Sequence, residues 1–276
     1  MTKSTPFFSI VIPTLNEEEC LPRLLADLAR QSYCDFEVIV VDAHSNDKTI
    51  SQAKKLTRQL PCLTIINSRQ RNVAHQRNLG AKKARGKILI FMDADNQLPP
   101  YFLLGIKYRL ELNKPQLFTC YLDPDSTKPQ DKTVASLLNL SSEIQDKIID
   151  APMALGALIG CKKAFFSKIG GFDESIVYAE DREFSIRAFK QGGRFQLFKD
   201  PKYAYSFRRL RKEGKLKLLQ KLTKTGAMRL LQGYAQEPLA EYPMLGGRFY
   251  DKPRKKSQLP LKLKILYHKI ADIIDL

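Results

Sequence analysis

Asp93 and Asp95 stand two positions apart, directly after the β-forming run KILIFM at 87–92. Carboxylates at i and i+2 on a chain leaving a strand point to one side. Two like charges held so close are costly unless a cation joins them. An oxygen-only pair suits Mg²⁺ or Mn²⁺, which keeps its other positions for water and phosphate oxygens. Gln97, two residues on, offers a further oxygen. An Asp-x-Asp pair alone is as common in solvated turns; its place after a strand of buried type favours the metal. Asp42 ends FEVIVV in the same way, where a carboxylate can accept from a nucleobase N–H or a ribose hydroxyl, or can simply cap the next helix. Thr14, Asn16 and Glu17 follow the run FFSIVIP and resemble a helix-capping arrangement.

Glu180 and Asp181 open a helical pattern at 179–190. Two acids at a helix start complement the macrodipole, or one of them serves as a general base, its proton affinity raised by partial burial. Spacing leaves both open. Arg208, Arg209 and Arg211, in SFRRLRKEG, form a compact cluster suited to a diphosphate or to a solvated basic turn. Other chemistries fail on their patterns. GAKKARGK at 80–87 has one residue too many for a P-loop and lacks its Ser/Thr, and no GxGxxG or GxSxG is present. His44, His75 and His268 are scattered and read as structural or surface residues, so zinc is not supported.

These residues need a frame to bring them together. Strands are expected at 7–12, 36–41, 63–66 and 87–92, with helices at 17–30, 46–59 and 73–84. Nearly continuous apolar strands alternating with helices imply an open, mainly parallel α/β sheet covered on both faces, with ligands beyond the carboxyl ends of its strands. Past residue 120 the pattern predicts helices at 133–149 and 179–190 and a strand at 194–198. From 207 onward it is basic, with helical patches. Leu263, Leu266, Ile270, Ile273 and Ile274 form an apolar stripe beside Lys262, Lys264 and Lys269, which fits an amphipathic helix on an anionic membrane surface or a packing face.

The chain has 276 residues and a net charge of +17, of which +12 falls in residues 201–276. That asymmetry suggests a polyanionic partner: nucleic acid, lipid headgroups or a phosphorylated substrate. Five widely spaced cysteines exclude a CxxC site and argue against a disulfide framework. No apolar run reaches transmembrane length, and the N-terminus lacks a secretory pattern. The expected location is the cytoplasm, or the periphery of a membrane at its inner face.

SIVIPTLNEE, VIVVDAHSNDKT, QRNLGAKKARGKILIFMDADNQLP and GGFDES…AEDREFSIRA, in that order from residue 8 to about 200, together resemble the family 2 glycosyltransferases of the GT-A fold. The resemblance implies a Rossmann-like nucleotide-binding sheet, inversion at the anomeric carbon and a divalent metal, Mn²⁺ or Mg²⁺. Carried over position by position, it places Pro13, Thr14 and Glu17 in the nucleoside pocket, with Asp42 at the base or ribose. Arg77 approaches the nucleotide, Asp93 the ribose or sugar, and Asp95 the metal. Asp181 is implied as catalytic base with Glu180 beside it in the acceptor region. DADNQLP also looks like the polyprenyl-phosphate sugar transferases, where the equivalent of Gln97 helps bind metal. Arg208 and Arg209 become the candidates for the diphosphate clamp.

The implied donor is a UDP- or GDP-sugar, the acceptor a glycan, lipid or polyprenyl phosphate, and nucleic acid is not expected. The chain departs from the family in reading Asp-Ala-His-Ser in the second motif, so roles for Ala43 and His44 do not carry over. It has no Trp, hence no Gln-x-x-Arg-Trp motif, which favours single sugar addition. The expected organisation is a catalytic domain at 1–206 and a basic helical extension at 207–276. Two rivals are a sugar-nucleotidyltransferase, whose glycine-rich activating loop is missing, and a basic nucleic-acid-binding module, which leaves the ordered acids unexplained.

Overall fold

The computed structural model describes residues 5–147, 156–176 and 179–213, together with Gly247. Four strands, β1 (Phe8–Thr14), β2 (Phe36–Asp42), β3 (Leu63–Asn67) and β4 (Ile88–Met92), run parallel in the order β3-β2-β1-β4. Every residue of β1, β2 and β4 is buried, which is why each reads as a nearly continuous apolar run rather than an alternating one. The strand order reverses between β1 and β4, and the crevice outside their carboxyl ends is the expected ligand position.

Helix α1 (Cys20–Ala29) buries Leu21, Leu24, Leu25 and Leu28 on one face of the sheet, with Ile10, Ile12, Val38 and Val40. The short α2 (Thr49–Lys55) adds Ala53 to that layer. Helix α3 (Val73–Lys83) lies on the other face, its Ala74 and Ala81 among Val11, Val41 and Phe91. Its Gly80 allows a close approach: a Cβ there would meet Val11 Cγ1 at 2.3 Å.

The second half widens the sheet through α4 (Phe102–Asn113), β5 (Leu117–Pro124), α5 (Pro129–Lys147), β6 (Leu158–Lys162), α6 (Lys163–Lys168), α7 (Glu180–Lys190), β7 (Phe195–Tyr205) and α8 (Arg208–Glu213). The seven strands run β3-β2-β1-β4-β6-β5-β7, with β6 antiparallel to both neighbours and β7 parallel to β5. The expected helix at 133–149 is α5, and the expected strand at 194–198 continues in β7 to Tyr205. The basic extension is described only through α8; the stripe from Leu263 to Ile274 lies outside the described residues. Gly247 donates its N–H to the Leu15 carbonyl at 3.0 Å. No helix among the described residues is long and apolar enough to cross a membrane.

A polar cluster closes the amino-terminal edge of the sheet. Glu37, at the start of β2, accepts from Ser9 Oγ (2.7 Å), Arg85 N (2.6 Å) and Arg85 Nε (2.9 Å), and Ser9 Oγ accepts from Gly86 N at 2.7 Å. These donors hold the buried Glu37 carboxyl below its ordinary range, overcoming the opposing effect of burial.

Candidate active site

The loops after β1 and β2 are tied to each other at the opposite edge. Asp42 accepts from Ser45 Oγ (2.5 Å) and Ser45 N (2.9 Å), and Ser45 Oγ accepts from Asn16 N at 2.8 Å. Asn16 and His44 adopt left-handed backbone (φ 54° and 58°), a conformation that Asn tolerates and His adopts at some cost. Asp47, just before α2, accepts from Thr49 N at 2.9 Å. Pro13 and Thr14 are buried in β1, with Thr14 Oγ1 turned back to the Ile12 carbonyl. Glu17 faces the crevice, paired with Arg208 Nη2 at 2.5 Å.

The acids after β4 do not share one cation. Asp93 lies 3.4 Å from Arg77 Nη2, while Asp95 pairs with Arg208 Nε at 3.0 Å. The repulsion between them is thus divided between two guanidiniums brought from α3 and α8. Asn96 and the Asp93 amide both donate to the Ala157 carbonyl, at 2.5 and 3.1 Å, which locks this loop to the start of β6. Gln97 exchanges main-chain bonds with Ala204 and is exposed; its side chain makes no described contact with Asp95.

Arg77 is placed differently from the expectation of a nucleotide contact. Its side chain is 2% exposed and sits behind the acids. Nη1 donates to Glu180 Oε1 at 2.7 Å and Nη2 to the Gly156 carbonyl at 2.8 Å. Glu180 therefore points inward, whereas Asp181, half-buried at the start of α7, accepts from Gly156 N (2.7 Å) and Arg182 N (2.8 Å). Asn78, next to Arg77, exchanges hydrogen bonds with the Phe172 main chain, and His75 bonds Glu174 at 2.7 Å. The third and fourth sequence motifs thus meet across this seam.

Five carboxylates, Glu17, Asp93, Asp95, Glu180 and Asp181, gather around Arg77 and Arg208. Burial pushes the Asp93 carboxyl up to about 7, with Asp95, Glu180 and Asp181 adding to the effect and Arg77 opposing it. Burial also raises Asp95, against Arg208, and Glu180, against Arg77. Among the described residues no three His, Cys, Asp or Glu side chains are grouped to hold a metal ion. A hard divalent cation that takes one or two carboxylates and fills its shell with water and phosphate oxygens nevertheless fits this donor set, in which Asp93 and Asp95 stand two residues apart.

Arg211 belongs elsewhere than the diphosphate cluster: it pairs with both oxygens of Asp125, at 2.8 and 2.6 Å. Tyr205, at the end of β7, is marked by none of the sequence motifs. Its phenol senses Asp95, Asp93, Asp181 and Arg209, and burial raises its proton affinity. The signal that could have found it is the one that found Asp42, a polar residue at a strand's carboxyl end.

A glycosyl transferase family 2 model matches residues 9–170, and the chain belongs to that family. It is 26% identical over 226 residues to the dolichyl N-acetyl-α-D-glucosaminyl phosphate 3-β-D-2,3-diacetamido-2,3-dideoxy-β-D-glucuronosyltransferase of Methanococcus voltae, covering 73% of this chain and 66% of that one. It is 27% identical over 198 residues to an uncharacterized glycosyltransferase of Haemophilus influenzae, covering 66% of this chain and 62% of the relative, so it spans under two thirds of that relative's length. The fold matches a mannosyltransferase of Pyrobaculum calidifontis, solved with GDP-Man and Mn²⁺, with a TM-score of 0.62 at 21% identity, over 84% of this chain and 66% of that one. The architecture is therefore the GT-A fold that the motifs imply.

Proposed function

We propose that the chain is an inverting glycosyltransferase that moves one sugar from a UDP- or GDP-sugar to a glycan, lipid or polyprenyl-phosphate hydroxyl or phosphate. The observation that carries this reading is the gathering of Glu17, Asp93, Asp95, Glu180 and Asp181 beside Arg77 and Arg208, past the carboxyl ends of β1 and β4. Acids so grouped favour a nucleoside diphosphate that arrives with a divalent cation, and Asp181 stands half-buried at the start of α7.

Asp42 accepts from the base or ribose at the edge formed by Thr14 and Pro13. Asp93 takes a sugar or ribose hydroxyl. Asp95, helped by Gln97, would hold Mn²⁺ or Mg²⁺, which when bound offsets the charge that grows on the leaving diphosphate. Arg208, already beside Asp95, and Arg209 contribute donors to the same phosphates. Asp181 accepts the proton of an acceptor hydroxyl as it attacks the anomeric carbon from the opposite face; with a phosphate acceptor it orients the acceptor instead. The lipid-phosphate named for the M. voltae relative and the GDP-Man bound to the P. calidifontis enzyme support these substrate classes.

Thermal stabilisation by UDP, GDP, CDP and ADP, each with and without Mn²⁺, tests the donor site. A ligand at 100 times its dissociation constant adds about 2.7 kcal/mol. One nucleotide should stabilise the chain only with metal, and Asp95→Ala should abolish that gain. A folded chain that responds to none of the four refutes the reading.

A further inference from the structure

We infer that Arg77 is a positioning residue for Asp181, acting through the Gly156 peptide. The inference rests on the proposed role of Asp181 and adds to it the groups that hold that carboxylate. One guanidinium nitrogen, Arg77 Nη2, donates to the Gly156 carbonyl at 2.8 Å, and the amide of the same residue donates to Asp181 Oδ2 at 2.7 Å. A single glycine is thus clamped from both its polar ends, by α3 on one side and α7 on the other. A Cβ on Gly156 would fall 2.7 Å from Asp181 Oδ2, so an added side chain would displace that carboxylate.

The other anchors of Arg77 fix it in place. Nη1 bonds Glu180 at 2.7 Å, and the guanidinium carbon lies 5.3 Å from the centre of the Phe172 ring, which stacks on Phe184 of α7. Ala179, immediately before the acidic pair, holds a left-handed φ of 63°, a conformation that persists in a non-glycine residue only where surrounding contacts enforce it. From it, Glu180 turns inward to Arg77 and Asp181 to Gly156. Arg77 Nε is buried and has no hydrogen-bond partner among the described residues, so the side chain is not optimised as a core ion pair. It is held where two of its nitrogens reach the peptide and the acid that bracket Asp181. Lysine at this position keeps the charge and loses the fork that spans both.

The test uses the full chain with UDP- and GDP-sugars and Mn²⁺, following donor turnover and nucleotide affinity in Arg77→Lys, Asp181→Asn and the double variant. Arg77→Lys should lower kcat on the order of 10²-fold, the usual loss for a misplaced reacting group, with a smaller loss of donor affinity through Asp93, which lies 3.4 Å from the same nitrogen. In the Asp181→Asn background the same change should lower kcat no further, because that effect passes through the lost carboxylate. Gly156→Ala should repeat the pattern, and serves as the probe if Arg77→Lys does not fold. Additive losses in the double variant, or a fall in nucleotide affinity that accounts for the lost turnover, overturn the inference. A parent chain that turns over no donor overturns the underlying reading of the site; an active parent whose variants keep its kcat overturns only the role of Arg77.

Discussion

Two clusters of charged side chains sit at opposite edges of one sheet, Glu37 with Ser9 and Arg85 at the amino ends of the strands, and the Asp93–Asp95–Glu180 group at the carboxyl ends. In the first, three donors converge on one carboxylate, which is held below its ordinary proton affinity although buried. In the second, five carboxylates share Arg77 and Arg208, and burial drives Asp93, Asp95 and Glu180 upward. The same residue types therefore do opposite things. A cluster whose donors match its acceptors is finished by folding and cements the sheet. One whose described acids outnumber its described guanidiniums is suited to a cationic ligand, at a cost in stability that the rest of the fold absorbs.

The contrast is sharpest if one change at each edge separates activity from stability. Asp181→Asn, at the carboxyl edge, should cut turnover by at least about 10²-fold, the scale of a lost general base, with nucleotide binding and thermal midpoint retained. Steady-state kinetics on the purified variant decide it, and near-parental activity removes Asp181 from the role. Glu37→Gln, at the amino edge, should do the reverse, leaving turnover intact and lowering stability by about 2 kcal/mol through weakened charge-assisted bonds. Arg85 is 43% exposed and can return to water, so the loss stays below the roughly 3–5 kcal/mol of a fully buried broken pair. Because the folded Glu37 pKa is depressed, its contribution is present above the unfolded value of about 4.3 and is lost as pH falls through the lower folded value. Urea midpoints of parent and variant should converge in acid; a gap that persists there denies that ionised Glu37 is the source.

The two edges also differ in how far they could be read from sequence. Strands β1, β2 and β4 are buried on both sides and announce themselves as apolar runs, and Asp42, Asp93 and Asp95 are legible because they interrupt those runs at their ends. Helix α4 was hidden because Leu104, Tyr108 and Leu112 are exposed and spoil its amphipathic pattern. Strand β6 is five residues long and contains Gly160, whose missing Cβ makes room for the Phe118 ring. Arg77 was identified as a site residue, but not its partners. Those lie 16, 79 and 103 positions away, after β4, before β6 and on α7, and only the tertiary fold brings them to α3. Composition and spacing show that a cation and several acids exist; which acid the cation answers is a property of the tertiary structure.

The finest discrimination between the edges is the sign of their pH response. Asp93 has a folded pKa raised to about 7, against about 3.9 unfolded. Above pH 8 it is ionised in both states and its burial costs stability. As pH falls from 8 to 5 the folded chain takes up a proton that the unfolded chain does not, so stability rises, opposite to the loss that Glu37 brings in acid. The Asp93 side chain is 40% exposed, and solvent screening limits the effect to about 1 kcal/mol. Asp93→Asn should therefore flatten the slope between pH 5.5 and 8, measured by urea unfolding in the presence of a chelator, while leaving the acid limb set by Glu37 untouched. Equal slopes in parent and variant would mean that Arg77 already neutralises Asp93 in the folded chain.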